Sequence, residues 1–269
     1  MKKQVICIRW GTKYGPDYVN RLYGMVARNL TPPFDFFCIT DSDAGLRPEV
    51  RVVPLPELGF TLDGIEHGIW DKSRLWQPTL GDITGPVLFM DLDLVVTGSL
   101  DGFFEVGGAD DVVLARNPTT PLEKLGQTSL YRFPVGGLVP LWETFRADPV
   151  RIAAEHKFEQ RFVTRNAPGG AQFWPKGWVA HFRHHCARPF PLNYVAEAKQ
   201  PPDAKVVIFA GGLNPPDAIA GRWWPHLPVL SPADHVRAAL TSPDHAGSRM
   251  RYLRHYIKPT AWVRETWVE

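Results

Sequence analysis

The chain has 269 residues, which suits one large domain or two small ones, and 44% of them are hydrophobic, which speaks against global disorder. Its 30 basic and 28 acidic residues leave a net charge of +2, without the basic excess of a dedicated nucleic-acid binder. No apolar run approaches the roughly 20 residues of a membrane span, and Met1 to Ile6 enters a strand pattern without the apolar region of a signal peptide, so a cytoplasmic protein is expected.

In chain order, Val5 to Arg9 reads as the first strand. Pro16 sits at a first helical position, and Tyr18, Leu22, Met25, Val26 and Leu30 recur at helical spacing, which predicts a helix over 16–30 stopped by Thr31-Pro32-Pro33. Phe34 to Thr40 is a second strand, Val50 to Val53 a short third, and Lys72 to Leu80 a further helix. Val87 to Met90 is a continuous apolar strand, expected to be buried on both faces. Val112 to Ala115 is another strand, and Asp148-Pro149 caps a helix that runs on to Val163. Lys205 to Phe209 is a late strand that leads into the loop Ala210-Gly211-Gly212-Leu213-Asn214-Pro215-Pro216. The alternation predicts an α/β fold: a mixed, mostly parallel sheet with helices on both faces. Residues 1–227 read as one domain and 228–269 as a basic, aromatic extension packed on it. Cys7, Cys38 and Cys186 lie far apart with no C-x-x-C pair, as expected of buried, reduced thiols.

The sharpest local signal is Val87-Leu88-Phe89-Met90-Asp91-Leu92-Asp93-Leu94-Val95-Val96. Open α/β sheets bind ligands beyond the carboxyl ends of their strands. Two carboxylates one residue apart would repel there, and a hard divalent cation relieves the repulsion while accepting diphosphate oxygens. The alternative is a pair of Asp residues that caps a turn. In Trp70-Asp71-Lys72-Ser73-Arg74-Leu75-Trp76, Lys72 and Arg74 either reach a diphosphate from a helix start or belong to a solvated face over buried Trp70, Leu75 and Trp76. In Trp10-Gly11-Thr12-Lys13-Tyr14-Gly15, Gly11 permits close backbone approach and Tyr14 offers a ring for a base, unless the loop is an ordinary strand–helix turn.

These motifs together resemble the GT-A-fold glycosyltransferases, in particular relatives of the glycogenin-like family 8 enzymes. The resemblance rests on Trp10 to Gly15, the Thr40-Asp41 strand end, Trp70-Asp71-Lys72 and the run Phe89 to Leu100, and it extends more weakly through Gln172 to Pro216. It implies a nucleotide-sugar donor, commonly a UDP-sugar, with manganese (or magnesium) and retention of anomeric configuration. Carried over, Tyr14 matches the base-contacting tyrosine, Lys72 the donor-contacting lysine, and Asp91 and Asp93 the metal-binding pair. Trp10, Gly11, Asp41, Arg74 and Gly211 complete the expected donor site. Three positions depart from the family. Phe209-Ala210-Gly211 stands where the family has Phe-His-Gly with its third metal ligand. Phe133-Pro134-Val135-Gly136-Gly137 stands for Asn-Ser in a middle strand, and Ala171-Gln172 for Asp-Gln, which leaves Gln172 as the candidate near the anomeric carbon.

The leading expectation is glycosyl transfer to an unidentified glycan, lipid-linked or protein acceptor. The alternative is a sugar-nucleotide-binding protein with weak or no turnover. A nucleotidyltransferase is a third class, disfavoured because no Gly-rich basic loop follows the first strand. His181, His184 and His185 offer a substitute for the missing ligand or are ordinary histidines. Trp174, Trp178, Trp223 and Trp224 line an acceptor cleft or pack a core. The tail from Ala246 to Arg264 carries Arg249, Arg251, Arg254, Lys258 and Arg264 among Tyr252, Tyr256 and Trp262, with no acidic residue. That composition suits peripheral contact with anionic lipid or a helix packed by Leu253 and Ile257.

Overall fold

The computed structural model describes residues 2–66, 69–120, 122–242 and 248–269. Its strands are β1 (Gln4–Arg9), β2 (Asp35–Thr40), β3 (Arg51–Pro54), β4 (Pro86–Met90), β5 (Leu94–Val96), β6 (Val112–Arg116), β7 (Gly126–Pro134), β8 (Ala171–Phe173), β9 (Val179–His181) and β10 (Val206–Ile208). Its α-helices are α1 (Pro16–Asn29), α2 (Val139–Ala147), α3 (Pro149–His156), α4 (Glu159–Asn166), α5 (Pro215–Ala220), α6 (Pro232–Thr241), α7 (Arg249–Arg254) and α8 (Ala261–Thr266). They form two compact units interleaved in sequence: Met1–Leu92 with Ser99–Lys176 and Glu269, and Asp93–Gly98 with Gly177–Val268.

The first unit holds a seven-stranded sheet in the order β3-β2-β1-β4-β7-β6-β8. The β1–β2, β2–β3, β1–β4 and β6–β8 pairs are parallel, and β7 runs antiparallel to both β4 and β6. The sheet is mixed and mostly parallel, as expected. Every residue of β1 is buried. Ile6 and Ile8 join the aromatic core of Trp70, Trp76, Phe89, Tyr131, Phe145 and Phe162, while Val5 and Cys7 alternate onto the other face and are equally covered. Sheet and helices therefore enclose β1 and β4 on both faces, which is why their runs are uninterrupted by polar residues.

Two predicted helices differ. The helix expected over 72–80 is a 3-10 run, Trp70–Trp76. Pro78 forces the preceding Gln77 into extended backbone, φ −66° and ψ 160°, and the run stops there. The helix expected from Pro149 to Val163 starts as predicted, with the Asp148 carboxylate accepting from the Arg151 N–H. It then breaks at Lys157, whose φ of 64° turns the chain before α4 begins.

The second unit holds the three-stranded sheet β5-β10-β9, with β10 antiparallel to β5 and parallel to β9. After β9 the chain makes a single π turn, Phe182–Cys186. Ala246, where the basic tail was taken to begin, lies outside the described residues; within them Tyr256 and Ile257 are buried, and the Trp262 indole donates to the Ala198 carbonyl. That half of the tail is packed. No described helix is long and apolar enough to cross a membrane. All three thiols are buried and free.

Candidate functional site

The carboxyl ends of β1, β2 and β4 carry the expected residues of the first unit. Beyond β1, the Gly11 N–H donates to the Asp41 carboxylate at 2.9 Å, and a φ of +61° at Gly11 makes that turn possible. Tyr14 rests against Tyr18 at 4.8 Å between centroids, with the Lys13 ammonium over its ring. Arg9 was not anticipated. It is nearly buried, and its guanidinium donates to the Tyr14 carbonyl at 3.1 Å and the Ser42 carbonyl at 2.8 Å, clipping together the loops after β1 and β2. Trp10 packs on the aromatic core.

Beyond β4, the Asp91 N–H donates to the Ser129 carbonyl, so Asp91 stays registered against β7. The Lys72 ammonium forks onto both Asp91 carboxylate oxygens, at 2.6 and 2.7 Å. The lysine side chain is 6% exposed and the aspartate 17%, so this ion pair is largely shielded from water. Lys72 also lies over the Phe89 ring at 5.4 Å. Arg74 turns elsewhere: it donates to the Pro56 carbonyl and pairs with Asp71 at 3.5 Å.

Gln172 does not join this end of the sheet. Its register row runs Leu88–Arg132–Val113–Gln172 across β4, β7, β6 and β8. Three strand spacings put it roughly 14 Å from β4, on the edge strand. There the Gln172 amide gathers with the Asp111 carboxylate and the buried Arg132 guanidinium about Gly107, where a Cβ would come within 2.9 to 3.3 Å of the three. Arg132 is tied to the Phe103 and Gly108 carbonyls. The carboxylate–glutamine pair at the correct end is Glu159-Gln160, at the start of α4. Glu159 is buried and accepts from the Thr128 hydroxyl at 2.8 Å. Burial raises the Tyr131 phenol, and the charges of Glu159 and Asp91 both add to that rise.

In the second unit, Asp93 stands one residue before β5. The loop after β10 exposes Gly211 and Gly212, both at positive φ. The Gly211 carbonyl accepts from Arg183 at 2.7 Å. His181 is buried, with no partner at Nδ1, and its ring meets His184 edge-on at 4.7 Å. His185 Nδ1 accepts from the His181 N–H. Trp174 is core, edge-on to Phe103, whereas Trp178 lies under Lys205. Trp223 and Trp224 are half-buried beneath Arg183.

No family model and no curated protein matches the sequence. Solved structures do. The galactosyltransferase LgtC, in complex with donor and acceptor sugar analogs, aligns with a TM-score of 0.52 at 14% identity over 91% of this chain and 99% of that one. The bifunctional glycosyltransferase WbbM gives 0.57 at 14% identity, over 93% of this chain and 51% of that one. The glycosyltransferase GlyE of Streptococcus pneumoniae TIGR4 gives 0.54 at 13%, over 80% and 56%. The chain has the GT-A fold. It spans about half the length of WbbM and GlyE, and at these identities the GT-A likeness is one of architecture.

The residues that the GT-A resemblance offers to a divalent cation are described unit by unit. Lys72 occupies both oxygens of Asp91. Ala210 has no ligating side-chain atom. Among the described residues no three His, Cys, Asp or Glu side chains converge as a metal site.

Proposed function

We propose that this GT-A chain binds a nucleotide-sugar donor and transfers its sugar to an acceptor. The forked Lys72–Asp91 pair at the carboxyl end of β4 carries the reading, because a shielded cation at that end of an open sheet is placed to meet a diphosphate. The Gly11–Asp41 turn and Tyr14 stand at the neighbouring strand ends, where they would hold the base. Glu159, pinned by Thr128, takes the place first given to Gln172 as the polar group nearest the reacting sugar. Thermal melting against a panel of sugar nucleotides, with and without manganese, tests the reading, since a ligand that binds only the folded state raises its melting temperature. One class of donor should raise it by several degrees. A flat response to every sugar nucleotide would leave the fold without this function. Ala210 favours a second reading, in which the chain holds the donor with little turnover; donor stabilisation without sugar release or transfer would select it.

We further propose peripheral contact with an anionic bilayer through the second unit. Phe190, Leu192 and Val195 are exposed. Asn193, buried between them, donates to the Leu253 and Tyr256 carbonyls and so fixes this apolar loop beside α7. Arg249, Arg251 and Arg254 on α7 are exposed, and Lys258 reaches the Val195 carbonyl. Vesicles containing phosphatidylglycerol should cosediment the protein at low salt and release it at high salt, whereas phosphatidylcholine vesicles should not bind it. The double variant Leu192→Ser, Val195→Ser should weaken the binding; unaltered binding counts against the loop.

A further inference from the structure

The loop after β10 presents a cation where a cation-binding side chain was expected. β9 and β10 are parallel, with His181 opposite Ile208, so their carboxyl ends lie side by side. Arg183 is two residues beyond His181, and Ala210 is two beyond Ile208. The Arg183 guanidinium donates to the Gly211 carbonyl at 2.7 Å. It lies 4.2 Å from the centroid of the Trp224 ring and 5.2 Å from that of Trp223. A Cβ at Gly211 would come within 2.8 Å of its Nη1, so the glycine makes room for the arginine.

This guanidinium is half-buried, yet among the described residues no carboxylate pairs with it. Its Nε–H has no hydrogen-bond partner. Burial alone lowers its pKa, with no acidic group holding it up. A cation partly withdrawn from water without a counter-charge is costly, and an anion relieves that cost. The two indole faces hold the guanidinium plane in place, and its N–H fork matches the oxygens of a phosphate group. Beside it, Gly211 and Gly212 leave the backbone exposed for close approach.

We infer that Arg183, seated on Trp223 and Trp224 beside Gly211, makes a diphosphate-binding site within the second unit, and that this binding needs no divalent cation. The inference rests on the proposed nucleotide-sugar reading. It accounts together for Ala210 and for an arginine with no acidic partner among the described residues.

Calorimetric titration of the whole chain with pyrophosphate and with nucleoside diphosphates, in chelator and then in manganese, tests it. Binding should persist in chelator with an affinity within about threefold of that in manganese, a difference too small for a cation-dependent site. Arg183→Ala should weaken it by about tenfold or more, as expected for a lost charge-assisted fork, and Arg183→Lys should recover part of the loss. Unliganded melting curves confirm that both variants fold, and if the alanine variant does not, Arg183→Gln takes its place. Binding that vanishes in chelator and returns with manganese overturns the inference while leaving the donor reading intact. Parent-like affinity in Arg183→Ala or Arg183→Gln also overturns it. Failure of every diphosphate to bind the parent, with or without manganese, removes the donor reading itself.

Discussion

Asp91→Ala should lower the stability of the protein by about 3–5 kcal/mol, because it takes both carboxylate oxygens away from an almost buried Lys72 ammonium. The cost belongs to the broken pair more than to the lost aspartate. Removing both charges with Lys72→Met and Asp91→Leu should therefore restore most of the stability, since apolar side chains of similar volume need no solvation there. Denaturant midpoints compare the three proteins. Donor-induced stabilisation should be absent from both variants, which separates the role of the pair in binding from its role in folding. An Asp91→Ala protein as stable as the parent would mean that water reaches Lys72 freely.

Acid should destabilise the protein through His181. Burial first, then the neighbouring His184, His185 and Arg183 charges, depress its pKa from the ordinary 6.5 to about 3. The folded state keeps this imidazole neutral while the unfolded chain takes up a proton near 6.5. Its contribution is therefore fully retained above that pH and declines as the pH falls toward 3. At pH 5 the loss is about 2 kcal/mol, growing to roughly 4 to 5 near pH 3. His156, His185 and His255 are also depressed, with burial the largest cause in each, and they act in the same direction. His181→Phe should retain about 2 kcal/mol more of its neutral-pH stability than the parent does at pH 5. Parallel losses in the two proteins would show that His181 is protonated without unfolding.

What the sequence made legible was local. The apolar runs of β1 and β4 announce strands covered on both faces, and Asp91 stands directly after the second of them. The place of Gln172 was not legible because its neighbour in sequence says nothing about its neighbour across the sheet: β8 pairs with β6, and the whole width from β4 to the edge separates it from Asp91. Glu159 was hidden inside an apparently continuous helix. The break at Lys157 carries neither glycine nor proline, so nothing in the local chemistry marks Glu159 as the start of a new helix. β7 was read only as a middle stretch around Phe133, and its pairing with two antiparallel neighbours depends on residues far away in the chain. Arg183 was passed over as part of a histidine-rich run. The indoles beneath it, and the lack of a carboxylate partner among the described residues, are facts of tertiary packing.

The three cysteines give the protein its own reporters of opening. Cys7 and Cys38 face each other in register on β1 and β2 of the first unit, while Cys186 closes the π turn of the second. Burial raises the Cys7 thiol well above its usual range and the Cys186 thiol to about 12, so neither reacts as a thiolate while its unit stays closed. An alkylating reagent then captures each unit only when that unit exposes its interior, and the mass of the modified peptide tells which one opened. The rates at which Cys186 and the Cys7–Cys38 pair become labelled would read out whether each unit opens in the same event or one after the other, without any probe being introduced.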